Sequence, residues 1–197
     1  TFKQSDVEDL AKYGSISIIN GLTDLLHPCQ ALTDVFTAFE HKGRLEGLKL
    51  AYIGDGNNMA HSLMYAGAKV GMNVSVASPK GYECNAEIIE NAKADAKLTG
   101  AVIDVSNDPE REIADADVVY TDKWVSMGQE EEKAKRIKDF EGYTIDKKLF
   151  SLANPAALFM HCLPAYRGFE VTEDVIDGPN SVIFDEAENR LHVQKAV

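Results

Sequence analysis

Residues 48–59 read LKLAYIGDGNNM. An apolar run breaks at a glycine turn, and the chain then passes into NNMAHSLMYAGAKV at 57–70, where apolar positions recur at helical spacing. A buried strand that turns directly into a helix is the opening unit of a parallel sheet, because parallel neighbours need a crossover between them. The alternation continues outward. NVSVAS at 73–78 is followed by a helical pattern over 85–98, AVIDVS at 101–106, a short helical turn, and DVVYT at 117–121. Further on come AALFMHC at 156–162, a short helical stretch over 172–176, SVIF at 181–184 as a last strand, and a final helix from Asp185. The expected fold is α/β: a Rossmann-like, doubly wound, mostly parallel sheet with helices on both faces.

In such sheets ligands bind beyond the carboxyl ends of the strands. That rule selects the loops GDGNN at 54–58, SPKGY at 78–82, TDKWVSMG at 121–128 and HCLP at 161–164. Residues before 48 read differently. SISIIN at 15–20 is expected as a lone strand, GLTDLLHPCQ at 21–30 as a loop, and Pro28 as the first position of a helix over roughly 29–42 that Gly43 ends. A single strand cannot bury its own faces. Residues 1–33 are therefore expected to be the remnant of a second α/β domain, 34–47 an interdomain helix and linker, 48–184 the main domain, and 185–197 a truncated terminal helix without a C-cap that has lost its docking surface. The chain is read as a fragment.

With 197 residues, 45% hydrophobic and 26% charged, the chain can bury a real core. Its net charge of −12 repels a phosphate backbone or an anionic membrane surface, so neither nucleic acid nor membrane is an expected partner. Cys29, Cys84 and Cys162 are widely spaced and show no CxxC pairing, which fits reduced thiols and no metal site. The acidic amino end TFKQSDVEDL does not resemble a signal peptide, and the expected location is cytoplasmic.

The loop GDGNNM invites a dinucleotide reading, but Met59 stands where the third glycine belongs, and the second strand ends near Ser78 and not on an acidic residue. Its turn leaves the Asn57 and Asn58 amides at a helix start, able to hold a carboxylate; alternatively Asn57 only caps the helix. Asp122, Ser126 and Met127 lie on a strand-ending loop that can wrap a small amine, or they are surface scaffold. The acidic run 130–132 is a dipole-favoured first turn. His27 and Gln30 flank the start of a helix facing the interdomain crevice, where an imidazole and an amide can polarise a carbonyl or read a carbamoyl-type NH2. His41, His61, His192 and Cys84 carry structural readings only. In MHCLPAYRG at 160–168 a buried strand ends on His161 and Cys162, and Pro164 halts regular pairing.

Taken together, HPCQALTD, GDGNNMAHSLM, TDKWVSMGQEEE, FMHCLPAYRG and FDEAENRLHVQKA, in this order, resemble the ornithine carbamoyltransferases over essentially the whole chain. The resemblance implies carbamoyl transfer from carbamoyl phosphate to the δ-amine of L-ornithine, with no cofactor and a homotrimer as the intact assembly. It assigns His27, Gln30, Cys162, Leu163 and Arg190 to carbamoyl phosphate and Asn58, Asp122, Ser126 and Met127 to ornithine, with His27, Asp122 and Cys162 as the catalytic set. His27 would stabilise an oxyanion, and Cys162 would orient or deprotonate the amine without acting as a nucleophile. Residues 1–33 would then be the end of the carbamoyl-phosphate domain and 48–184 the ornithine domain, while the family's phosphate-binding Ser-Thr-Arg-Thr-Arg stretch is not in this sequence. A related carbamoyltransferase for putrescine or an acylated ornithine, a non-catalytic binding module and a nicotinamide oxidoreductase remain as alternatives.

Overall fold

The computed structural model describes residues 2–125 and 130–197. Strands β1 (Lys49–Ile53), β2 (Asn73–Ala77), β3 (Ile103–Ser106), β4 (Val118–Thr121) and β5 (Leu158–His161) form one sheet in the order β3-β2-β1-β4-β5. Every neighbouring pair is parallel. The chain winds outward from β1 to β3, then returns past β1 to β4 and β5, so the winding reverses between β1 and β4. Crossovers leaving that point on opposite faces open a crevice at the carboxyl ends of those two strands.

Both faces are covered, which is why the strands read as continuous apolar runs. On one face Leu50, Tyr52, Tyr120 and Met160 pack with residues of α2 (Pro28–Lys42), α3 (Asn58–Val70) and α4 (Ala86–Ala96), among them Ala38, Leu63 and Ala92. On the other, Ala51, Ile53, Val119 and Phe159 pack with Ile113 of α5 (Pro109–Ile113), Phe140 just after α6 (Lys133–Asp139), Leu149 of α7 (Lys147–Phe150) and Val175 of α8 (Glu173–Ile176). Adjacent strand residues thus belong to opposite cores, as a period of two requires. Each large apolar side chain withdrawn from water in this way contributes about 1.5–3 kcal/mol before entropy is counted.

Pro28 and Gly43 delimit α2 as expected, Gly43 taking a left-handed conformation at φ +71°. Other expectations need correction. SISIIN is not a strand: residues 15–20 have no sheet partner among the described residues, and a helix not foreseen, α1 (Gln4–Tyr13), precedes them. SVIF is not a strand either. Only Ser181 bridges to Phe159, after which α9 (Ile183–Ala196) begins, with Asp185 and Glu186 in a first turn that favours negative charge. Nor has α9 lost its docking surface. It lies along α2, and Asn189 Nδ2 donates to Thr37 Oγ1 at 3.0 Å and Glu40 Oε2 at 2.6 Å. Among the described residues no helix is long and apolar enough to cross a membrane.

Candidate active site

The glycine turn after β1 brings its backbone against the loop after β2. Gly56 N–H donates to Tyr82 O at 2.8 Å. A Cβ on Gly56 would overlap the backbone of Glu83 and Cys84 and come within 2.7 Å of Tyr82 O. Gly56→Ala is therefore expected to cost about 1–3 kcal/mol through backbone overlap. The midpoint of urea unfolding checks this, and an unchanged midpoint would mean that the loop yields freely.

The turn delivers Asn57 as the cap of α3: its Oδ1 accepts from Met59 N at 2.9 Å and Ala60 N at 3.3 Å. The Tyr52 hydroxyl donates to the same oxygen at 3.2 Å. These bonds turn Nδ2 the other way, and it donates to Asp122 Oδ2 at 2.8 Å. Asn57 is thus a cap whose far end holds a carboxylate of β4's terminal loop, a role that capping preference alone does not reveal. Asp122 Oδ1 accepts from Lys123 N at 2.7 Å and from the Cys162 thiol at 3.3 Å. Burial, followed by the charges of Asp122 and Glu186, pushes the Cys162 thiol well up, so it stays protonated at neutral pH. A thiol in that state orients groups and does not remove protons, which corrects half of its expected role.

The HCLP turn is fixed from behind. Leu163 N–H donates to His161 Nδ1 at 2.9 Å. The other ring nitrogen of the buried His161 therefore carries the proton and donates to Glu170 Oε1 at 3.3 Å. Leu163 itself takes a left-handed conformation at φ +56°, and its bond to Pro164 is cis. Asp122, His161 and Cys162 bring possible metal-ligand atoms within 4.8 Å of one another, but each of these groups is already engaged in the bonds just described.

Across the crevice, His27 Nδ1 donates to Gly21 O at 2.7 Å. Burial and then the Arg190 charge hold the imidazole below its ordinary pKa. At neutral pH the ring is uncharged and its Nε2 is an acceptor, suited to a carbamoyl NH2; the expected donation to an oxyanion requires the protonated ring. Gln30 does not reach the cavity. It is 1% exposed, and its amide bonds Asp34, Glu186 and Arg190. Its amide oxygen accepts from Arg190, whose Nη2 and Nε also donate to the Gln194 amide oxygen at 2.8 and 2.6 Å. Asn58 Nδ2 donates to Thr23 O at 2.7 Å, leaving its second N–H. Ser126 and Met127 lie outside the described residues.

His27, Asn57, Asn58, Asp122, Cys162, Leu163 and Arg190 line one cavity of about 670 Å³. It opens at the reversal between β1 and β4. Next to it, the buried Arg136 donates to Asp55 Oδ2 at 2.7 Å, Trp124 O at 3.0 Å and Glu132 Oε2 at 3.0 Å. This cation, unremarked in a charged helical run, ties Trp124 and Glu132 to Asp55 of the loop after β1. His61 bridges Leu25 O and Asn85 N, and Cys84 is pushed up to about 12 by burial, both in keeping with structural roles.

Residues 46–197 match the family model described as the aspartate/ornithine carbamoyltransferase Asp/Orn binding domain, and residues 1–40 match the carbamoyl-P binding domain of the same family. The chain is 59% identical to an ornithine carbamoyltransferase of Caldicellulosiruptor saccharolyticus over 197 residues, which is all of this chain and 64% of that protein. An ornithine carbamoyltransferase of Thermococcus kodakarensis is 57% identical, with 62% of its length covered. The solved ornithine carbamoyltransferase from Pyrococcus furiosus superposes with a TM-score of 0.95 at 54% identity, over 99% of this chain and 62% of that one. The chain thus spans somewhat less than two thirds of the length of these relatives.

Proposed function

The chain belongs to the aspartate/ornithine carbamoyltransferase family, and from that premise we propose that the full-length protein transfers the carbamoyl group of carbamoyl phosphate to the δ-amine of L-ornithine, giving L-citrulline and phosphate. The observation that carries this reading is the cavity that holds the Asp122 carboxylate together with the Arg190 guanidinium and a neutral His27. A substrate with an ammonium group suits the first, and one with a phosphate and a carbamoyl group suits the other two.

In this reading Asp122 pairs the α-ammonium, while Asn58 and the loop carrying Ser126 and Met127 take the α-carboxylate. His27 Nε2 accepts from the carbamoyl NH2, Leu163 O accepts from substrate N–H groups, and Arg190 faces the phosphate. An amine of reference pKa near 10.4 costs about 4.6 kcal/mol to deprotonate at pH 7. Cys162, kept as a thiol, offers sulfur lone pairs that orient the attacking amine by accepting from its N–H, and the departing phosphate supplies oxygens basic enough to take the remaining proton. The same reading carries a cytoplasmic homotrimer, with residues 1–33 as the end of the carbamoyl-phosphate domain.

Asp122 favours a free α-ammonium over putrescine, which has none, and over an acylated ornithine, whose α-nitrogen is uncharged. Citrulline formation by the full-length protein, measured beside carbamoylation of putrescine, tests this; a preference for putrescine would overturn it. His27→Ala is expected to lower kcat/KM by about tenfold or more through loss of a carbamoyl contact. Because the contact needs the unprotonated ring, turnover by the parent should also fall as pH drops through the lowered His27 pKa. That acid limb should disappear in the alanine variant.

A further inference from the structure

Behind the cavity, α2 meets α9 at two carboxyl groups. Asp34 and Glu186 are each 1% exposed, and among the described residues no lysine or arginine bonds to either. Gln30 Nε2 donates to both, to Asp34 Oδ1 at 2.8 Å and to Glu186 Oε1 at 3.0 Å. The Tyr120 hydroxyl donates to Glu186 Oε1 at 3.1 Å, and His161 N–H donates to Glu186 Oε2 at 2.9 Å. Of the four oxygens of this pair, Asp34 Oδ2 is the one buried without a donor among the described residues.

Two ionised carboxylates bridged by one nitrogen, without a cation, repel each other at a site where water cannot screen them. A single proton resolves both problems, because an Asp34 hydroxyl gives the orphan oxygen a bond to Glu186. The donor count identifies the holder: Glu186 already has donors on both oxygens and is the better carboxylate. Burial and the Glu186 charge push the Asp34 carboxyl well up, while the bonds from His161, Asp34 and Tyr120 work against the burial that raises Glu186. The surrounding groups are Gln30 on α2, Tyr120 and Asp122 on β4 and its end, His161 and Cys162 at the end of β5, and Arg190 on α9.

The pair has one geometric consequence. The Gln30 amide cannot turn over, since its oxygen would then face two acceptors, so that oxygen is committed to Arg190 Nη1. We propose that Asp34 and Glu186 are positioning residues sharing one proton held by Asp34, and that they lock the Gln30 amide so that its oxygen seats the Arg190 guanidinium at the cavity. The inference rests on the reading of Arg190 as the phosphate-side cation.

The test uses the full-length protein and the variants Asp34→Ala, Asp34→Asn, Glu186→Ala and Glu186→Gln. Asp34→Ala is expected to raise KM for carbamoyl phosphate about tenfold or more, with a much smaller change in KM for ornithine. Asp34→Asn keeps an oxygen for Gln30 and a donor for Glu186, so it should recover most of that loss. Glu186→Gln should not recover the loss of Glu186→Ala, because either orientation of its amide sets N–H against a donor. An infrared carbonyl band of a protonated carboxylic acid, recorded without substrate at neutral pH, should be present in the parent and absent from Asp34→Asn.

The pH dependence has a definite sign. A raised Asp34 pKa means that the folded state keeps a proton which the unfolded chain loses, so this group's contribution to stability is fully present below the ordinary carboxylate range and is lost as pH rises through the raised value. Asp34→Asn should flatten that slope in urea unfolding. An acid band that survives in Asp34→Asn, or a failure of asparagine to rescue KM, would overturn the proposal. If the protein formed no citrulline at all, the function would fall while the band and the unfolding slope still decided the shared proton. If Glu186→Gln did not fold, the position 34 variants and the band would decide alone.

Discussion

Asp122→Asn in the full-length protein is expected to lower kcat/KM for ornithine about thirty- to a thousandfold, corresponding to about 2–4 kcal/mol for a charge-assisted contact. The carboxylate that would be lost is held in place by Asn57 Nδ2 at 2.8 Å, Lys123 N at 2.7 Å and the Cys162 thiol at 3.3 Å. An asparagine oxygen can still accept from Lys123 N and Cys162, but its NH2 meets Nδ2 of Asn57, donor against donor. The substitution therefore removes the charge that faces an ammonium and also loosens the cap of α3. Steady-state kinetics with each substrate varied separate these effects: the loss should appear with ornithine, and carbamoyl phosphate binding should change little. Near-normal ornithine kinetics would show that Asp122 belongs only to the loop scaffold.

A polypeptide consisting of residues 1–197 alone is expected to form no citrulline and to bind ornithine weakly at best. Carbamoyl phosphate brings nearly two negative charges to a chain whose own net charge is −12. Among the described residues the basic side chains lining the cavity are Arg190, Lys123 and a His27 that burial keeps neutral. Tight phosphate sites rest on several charge-assisted contacts, each contributing about 1.5–3 kcal/mol, and Arg190 with Lys123 falls short of that. The docking of α9 on α2 keeps Arg190 in place, so the expected failure lies in too few cations and not in a misplaced one. A colorimetric citrulline assay on the purified polypeptide decides the matter. Turnover near that of the full-length protein would overturn the expectation and would require a phosphate site elsewhere on this chain.

The five strands and the helices between the first four of them were legible in the amino-acid sequence, whereas the short helix α7 was not. Strands buried on both faces must be apolar runs, and the runs here are punctuated beyond their carboxyl ends by Gly54, Pro79, Asn107, Asp122 and Pro164. The HPCQ, GDGNN and HCLP blocks each contribute residues to one cavity. Local pattern failed where a segment's partner decided its state. SISIIN alternates like a strand yet finds no sheet partner among the described residues, and SVIF reaches the sheet only through Ser181 before the acidic residues that follow favour a helix.

Side-chain roles divided in the same way. Sequence could name Asn57, Asp122, Cys162 and His27 as polar groups in candidate loops, and the family resemblance could add Arg190 on the last helix, but neither could say which would touch. Asn57 and Asp122 are 65 residues apart and meet only because β1 and β4 are neighbours in the sheet. Gln30 and Glu186 are 156 apart and meet only because α9 folds back on α2. Tertiary packing also set the protonation states, since burial and neighbouring charges, invisible along the chain, keep Cys162 a thiol and His27 neutral. Residue type and local periodicity thus determined the elements and the candidate groups; long-range proximity, which fixes hydrogen-bond partners and local dielectric, decided what each group can do.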